Sequence, residues 1–87
     1  MRLYLTGDFQ VLVFNSFIKE NAERNDLRGF LRNLEDGRIE IFIEGESEKI
    51  DKMIETCKKG TRHSQIKKAD LKEETFQDFK EFKILHI

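Results

Sequence analysis

The sequence predicts an α+β domain of the order β-α-β-β-α-β, with one antiparallel sheet and both helices on one of its faces. Three observations carry this. Apolar residues recur at helical spacing twice, at Phe14, Phe17, Ile18 and Ala22 and again at Ile50, Met53, Ile54 and Cys57. Between the two stripes, Ile39, Ile41 and Ile43 alternate with Glu40, Phe42 and Glu44, the period of a strand. Just before that run stands Asp36-Gly37, and Asp-Gly is among the strongest short-range hairpin signals.

The elements follow in order. Residues 3–6 alternate enough for a short opening strand, with Leu3 and Leu5 on one face. Residues 14–24 form the first helix, with Asn15, Lys19, Glu23 and Arg24 on its wet side, and "NDLRG" ends it. Residues 30–34 are the second strand. "EDGR" turns it into the third, which begins at Ile39 and is expected to have one apolar face. "GES" starts the second helix, with Ser47 as the expected N-cap and Glu48 suited to the positive helix end. Gly60 fits the position just past its C-terminus. Residues 65–73 form a fourth strand. There Ile66, Ala69 and Leu71 break a strict period of two, which implies a bulge or an edge position. Residues 79–85 close the chain as a last, tail strand. Each crossover is expected to be right-handed. This is the ferredoxin-like arrangement, and 87 residues make a single domain, residues 1–87.

Composition removes several function classes. Charged residues are 38% and hydrophobic residues 38%, with eight Phe, which describes a folded domain with a solvated surface rather than a disordered chain. Net charge is −1 with both signs interspersed, so no global field recruits nucleic acid or an anionic membrane. No apolar run approaches the roughly 18–20 residues of a membrane span, and "MRLYLTGDF" lacks signal-peptide architecture, so the expected location is the cytoplasm. The single Cys57 cannot form an intramolecular disulfide and reads as a buried structural thiol. His63 and His86 are far apart, and no Cys/His spacing suits a metal site. "RGF" at residues 28–30 opens like an RNA-stacking strand, but Leu31, Arg32 and Asn33 supply no further aromatic ring. The expected state is a monomer.

Two stretches carry chemistry. Residues 7–15, "GDFQVLVFN", outline an anion-binding turn that runs into a helix, and residues 29–40, "GFLRNLEDGRIE", span the hairpin. With the topology above, they resemble the two signatures of the acylphosphatase family, G-x-V-Q-G-V-x-F-R and G-[FW]-V-x-N-x-x-D-G-x-V-E. Gly45, Gly60 and the "FKEFKI" ending also fall where that family places them. The resemblance covers nearly the whole chain. It implies hydrolysis of the carboxyl-phosphate bond of acyl phosphates, without metal or cofactor. It further implies that loop N–H groups at the first helix hold the phosphoryl oxygens, that an Arg at the loop's end supplies fixed positive charge, and that an Asn on the second strand positions the attacking water. Phosphoryl transfer needs such positioning and charge stabilisation more than covalent help, and a helix N-terminus is a ready anion site.

The family's residues carry over only in part. Asn33 takes the water-positioning place, Gln10 matches the loop Gln, and Phe14 matches the Phe that anchors the helix in the core. Asn15 stands where the Arg belongs, and Val11 and Val13 fill positions of small residues; with Leu12 they complete the phosphate-binding loop, residues 10–15. A neutral amide does not replace a five-donor cationic fork. Val resists φ > 0, so the loop at Val11 is expected either to carry strain or to take another path on which its N–H groups no longer converge. The expected function is an acylphosphatase-like protein with impaired or absent hydrolysis. One alternative is a working enzyme in which Asn33 acts with a substitute cation such as Lys19, one turn beyond Asn15 on the same face. The other is a non-catalytic anion-binding or protein-interaction module. Expected ligands are phosphate or acyl phosphate. Arg32 adjoins Asn33 but should point to the opposite face of its strand. Ser16 has no His or carboxylate placed to activate it.

Overall fold

The computed structural model describes residues 1–86. Its elements are β1 (Arg2–Asp8), α1 (Val11–Arg24), β2 (Arg28–Asn33), β3 (Ile39–Glu44), α2 (Ser47–Lys59), β4 (Gln65–Lys72) and β5 (Phe82–Leu85). They form one sheet of order β4-β1-β3-β2-β5. The first four strands pair antiparallel, as expected. The tail strand adds a fifth, parallel to β2, and it begins at Phe82 rather than Phe79.

One face of the sheet holds the core. Leu3, Leu5, Leu31, Ile39, Ile41 and Ile43 meet Phe14, Ile18 and Ala22 of α1 and Met53, Ile54 and Cys57 of α2. Cys57 is fully enclosed, and burial pushes its thiol up to about 12.

The apolar face of β3, Ile39, Ile41 and Ile43, lies in the core, and its other face is covered as well, so all six residues are buried. β3 is central, and its other face is roofed by side chains from distant parts of the chain. Glu40, only 2% exposed, receives the guanidinium groups of Arg2 and Arg32 and the Tyr4 hydroxyl at 3.2 Å. Burial alone would raise its carboxyl, but the hydrogen bonds from the two arginines outweigh that and hold it below the ordinary value. Phe42 stacks on Phe30 at 5.8 Å and meets Phe79 at 5.4 Å. The Glu44 carboxylate accepts the backbone amides of Gln77 and Phe79. Residues 73–81 are thereby strapped across this outer face on their way from one edge strand to the other.

β4 lies at an edge and also carries the bulge. Thr6 pairs with Lys68 and Gly7 with Ile66, so Lys67 is the extra residue. The insertion restores phase. Leu3, Leu5 and Gly7 pair with Leu71, Ala69 and Ile66, which puts the three irregularly spaced apolar residues of β4 on the core side.

Two helix starts differ from the expectations. α1 begins at Val11, three residues earlier than its apolar stripe suggests. Ser47 is the first residue of α2 rather than its cap; Glu46 takes the cap position without a side-chain hydrogen bond. Gly60 closes α2 at φ +66, and Gly37 turns the hairpin at φ +92. Among the described residues no helix is long and apolar enough to cross a membrane.

Candidate functional site

The site is built where β1 runs into α1. Gly7, first residue of the turn motif, is there for packing: a Cβ on it would lie 2.0 Å from the Gln65 carbonyl oxygen, across the bulge. Phe9 then packs on Phe14 at 4.9 Å and seats the helix. Gln10 is extended (φ −81, ψ 93), and its carbonyl accepts the Phe14 amide at 2.8 Å. With Gln10 as the cap, the amides of Val11, Leu12 and Val13 are first-turn donors without intrahelical partners. No side chain caps them, and the first turn holds no acidic residue. The helix end thus presents an uncompensated positive pole.

Of the two expectations for Val11, strain at positive φ or another path, the chain takes the second. Among the described non-glycine residues only Asp26 and Asp78 have positive φ. Val11 and Val13 do take another path, but it is an early start of α1, and first-turn amides of a helix project together along its axis. What changes is the surface, since Val11, Leu12 and Val13 are 46%, 80% and 45% exposed.

Asn15 overturns a second expectation. Placed on the wet side by its polarity, it is only 4% exposed, and its Oδ1 is buried with no hydrogen-bond partner. It precedes Ile18 by three positions and Ala22 by seven, both buried, so it lies on the apolar stripe. The spacing was the available signal, and the residue type masked it.

Asn33 ends β2, paired with Ile39 and in phase with buried Leu31, so it lies on the helix-facing side of the sheet. Its Oδ1 is also buried without a partner. A cleft of about 340 Å³ adjoins it, lined by Asn33, Leu34, Glu35, Leu85 and His86. His86, read from sequence as a remote tail residue, therefore borders the candidate water-positioning Asn. Residues 10–15 do not line this cleft, nor a larger one of about 680 Å³ beside Arg28, Lys49 and Phe76. Asn15 and Asn33 thus share the layer between helix and sheet, but among the described residues no hydrogen bond joins them.

The charges nearby do not favour an anion. Lys19, the substitute cation, gives its Nζ to the Glu23 carboxylate at 2.8 Å and the Phe82 carbonyl at 3.1 Å, toward the far end of α1. Arg32 lies on the outer face with Glu40, as the alternation of a strand requires. Asp8, which leads into the turn, is 72% exposed with Lys67 at 3.3 Å. Among the described residues, no group of three or more His, Cys, Asp or Glu side chains is placed to hold a metal ion.

Known proteins share this plan. The acylphosphatase family model matches residues 1–84. An acylphosphatase of Rubrobacter xylanophilus is 35% identical over 85% of this chain and 67% of its own length. One of Acaryochloris marina is 34% identical over 98% of this chain and 91% of its own. The crystal structure of acylphosphatase from Bacillus subtilis matches with a TM-score of 0.91 at 26% identity, covering 98% of this chain and 96% of that one.

Proposed function

The chain belongs to the acylphosphatase family, and from that premise we propose a protein that keeps the family's scaffold and helix-end anion site but hydrolyses acyl phosphates slowly or not at all. The observation that carries this is Asn15: at the position of the family's Arg stands a neutral, buried amide. In the family's reaction water attacks phosphorus, the bond from phosphorus to the acyl oxygen breaks, and a carboxylate leaves with inorganic phosphate as the second product. Here the unpartnered Oδ1 of Asn33 is an acceptor suited to orienting that water, and the amides of Val11, Leu12 and Val13 suit equatorial phosphoryl oxygens. The fixed positive charge is missing, and in phosphoryl transfer an arginine of this kind is worth about 10³–10⁵ in rate.

The reading that makes Lys19 the replacement cation is less favoured, because its ammonium donates to the Glu23 carboxylate and the Phe82 carbonyl. Weak binding of phosphate or an acyl phosphate remains, from amides and dipole alone. Benzoyl phosphate hydrolysis, measured beside the Bacillus subtilis enzyme, tests the proposal. A comparable rate refutes it. A rate lower by three orders of magnitude or more, with phosphate still shifting the amide resonances of residues 10–15 at millimolar concentration, is the expected result.

A further inference from the structure

The cleft of about 680 Å³ lies at the far end of α1 from the candidate anion site. It opens between the last turn of α1, the start of β2, the loop into α2 and the strap of residues 73–81. Its volume is that of an ordinary small-molecule site. Leu27 and Phe82, both 2% exposed, give it an apolar floor. Phe76 joins the lining from the strap with its side chain 61% exposed. Glu44 holds the amides of Gln77 and Phe79, so that ring stands beside an anchored stretch of chain.

Arg28 indicates what the cleft would take. Its Nε is buried without a hydrogen-bond partner. Among the described residues, neither Arg28 nor Lys49, the other half-buried cation of the lining, joins an ion pair. The acids closest in the fold are committed elsewhere. Glu44, the cross-strand partner of Arg28, gives its carboxylate to the strap amides. Asp78 on the strap is held by Lys80 at 2.8 Å. A guanidinium left with unmet donors is relieved by an oxyanion, and a carboxylate matches its fork. The total charge of that oxyanion is limited. Glu23, Asp26, Glu46 and Glu81 stand exposed around the same cleft, so one negative charge is better tolerated than two.

We propose that this cleft binds a small carboxylate carried on a flat apolar body, of the aromatic-acid class. The carboxylate takes the Arg28 guanidinium with Lys49 beside it, and the flat body lies between the Phe76 ring and the floor of Leu27 and Phe82. Binding here is independent of any loss of hydrolysis, because none of residues 10–15 lines the cleft.

The test is an NMR titration of the folded chain with 2-naphthoate, set beside 2-naphthamide, 2-naphthyl phosphate and inorganic phosphate. At millimolar concentration 2-naphthoate should shift the amides of residues 26–28, 45–49 and 76–82 and leave residues 10–15 in place. The neutral amide and the doubly charged phosphate ester should each bind about tenfold more weakly. Phe76→Ser alters an exposed position, so it should fold, and it should weaken 2-naphthoate about fivefold. Arg28→Gln should weaken it about tenfold or more and erase the preference over 2-naphthamide. Should Arg28→Gln fail to fold, Lys49→Ala carries the same test, with a loss of about threefold. No shift, or shifts confined to residues 10–15, overturns the proposal. So does equal binding of 2-naphthamide, which would leave an apolar patch, or tighter binding of either phosphate, which would leave a simple anion site. Unchanged affinity in Phe76→Ser overturns it as well.

Discussion

Replacing Asn15 with Arg should return acyl phosphate hydrolysis to this chain. A cationic clamp on a transferring phosphoryl group is worth about 10³–10⁵ in rate, or about 4–7 kcal/mol of transition-state stabilisation. The structure sets the price. Position 15 is 4% exposed, so the stem must run along the start of α1 and carry its guanidinium out past the first turn. Forcing a larger side chain into a packed site costs about 1–3 kcal/mol. Little is lost with the Asn, whose Oδ1 has no bond to give up. Since Val11 and Val13 already lie in the helix without positive φ, changing both to Gly should add little activity and lower helix stability by a few tenths of a kcal/mol each. The single variant should therefore recover most of what Val11→Gly, Val13→Gly and Asn15→Arg recover together. The assay is loss of benzoyl phosphate absorbance, read as kcat/KM, with Asn33→Ala added to the Asn15→Arg background to abolish the gain. A folded Asn15→Arg chain with an unchanged rate would show that the missing cation is not the defect. A gain confined to the triple variant would show that the first-turn amides do not converge as the early helix start implies.

The remaining predictions concern the frame around the site. Gly7→Ala should destabilise the chain severely, because its Cβ would sit 2.0 Å from the Gln65 carbonyl oxygen; thermal melting would read this, and a wild-type midpoint would refute the packing role. Glu40 is held below its ordinary pKa, so its stabilisation is present above the unfolded carboxylate value of about 4.3 and is lost as pH falls through the lower folded value. Glu40→Gln should accordingly cost about 3 kcal/mol near neutral pH and flatten the acid limb of urea midpoints against pH; an unchanged limb would count against it. Cys57, with its thiol pushed up to about 12 and fully enclosed, should react with a thiol reagent at pH 8 only as fast as the chain unfolds. Lys19→Ala should leave whatever phosphate binding the chain has unchanged, since its ammonium is committed elsewhere; a weakened titration would restore Lys19 as the substitute cation.

The legible part of the fold was the part governed by local period and turn chemistry. The two helical stripes, the Asp36-Gly37 hairpin and the irregular spacing of Ile66, Ala69 and Leu71 each reported its element, because each rests on neighbours within a few residues. The roof over β3 was hidden. Arg32 could be set beside Glu40 once the hairpin register was known, as the two are cross-strand partners. Arg2, Glu74, Gln77 and Phe79 come from the far ends of the chain, and nothing local makes Glu40 and Glu44 read as buried. Near the site, strand alternation already set Arg32 on the face opposite Asn33, where it meets Glu40. Asn15 was misplaced because side-chain type was weighed above helical phase. At Val11 the expectation was strain or another path; a helix that starts three residues early is that other path, and it needs no positive φ there.

The bulge at Lys67 has a bearing on how this molecule keeps company with itself. An open sheet has two rims, and a flat rim of free amides is a template on which further chains can add and grow into fibres. β4 is a poor template of that kind: one residue too many bends its line, and Lys67, Lys68 and Lys72 stand exposed along it as charged side chains that a further strand would have to cover. The other rim, β5, is four residues long, too short to seed a stack. The same extra residue that brings Ile66 into phase with the core thus also breaks the straight line of donors and acceptors along which another strand would pair.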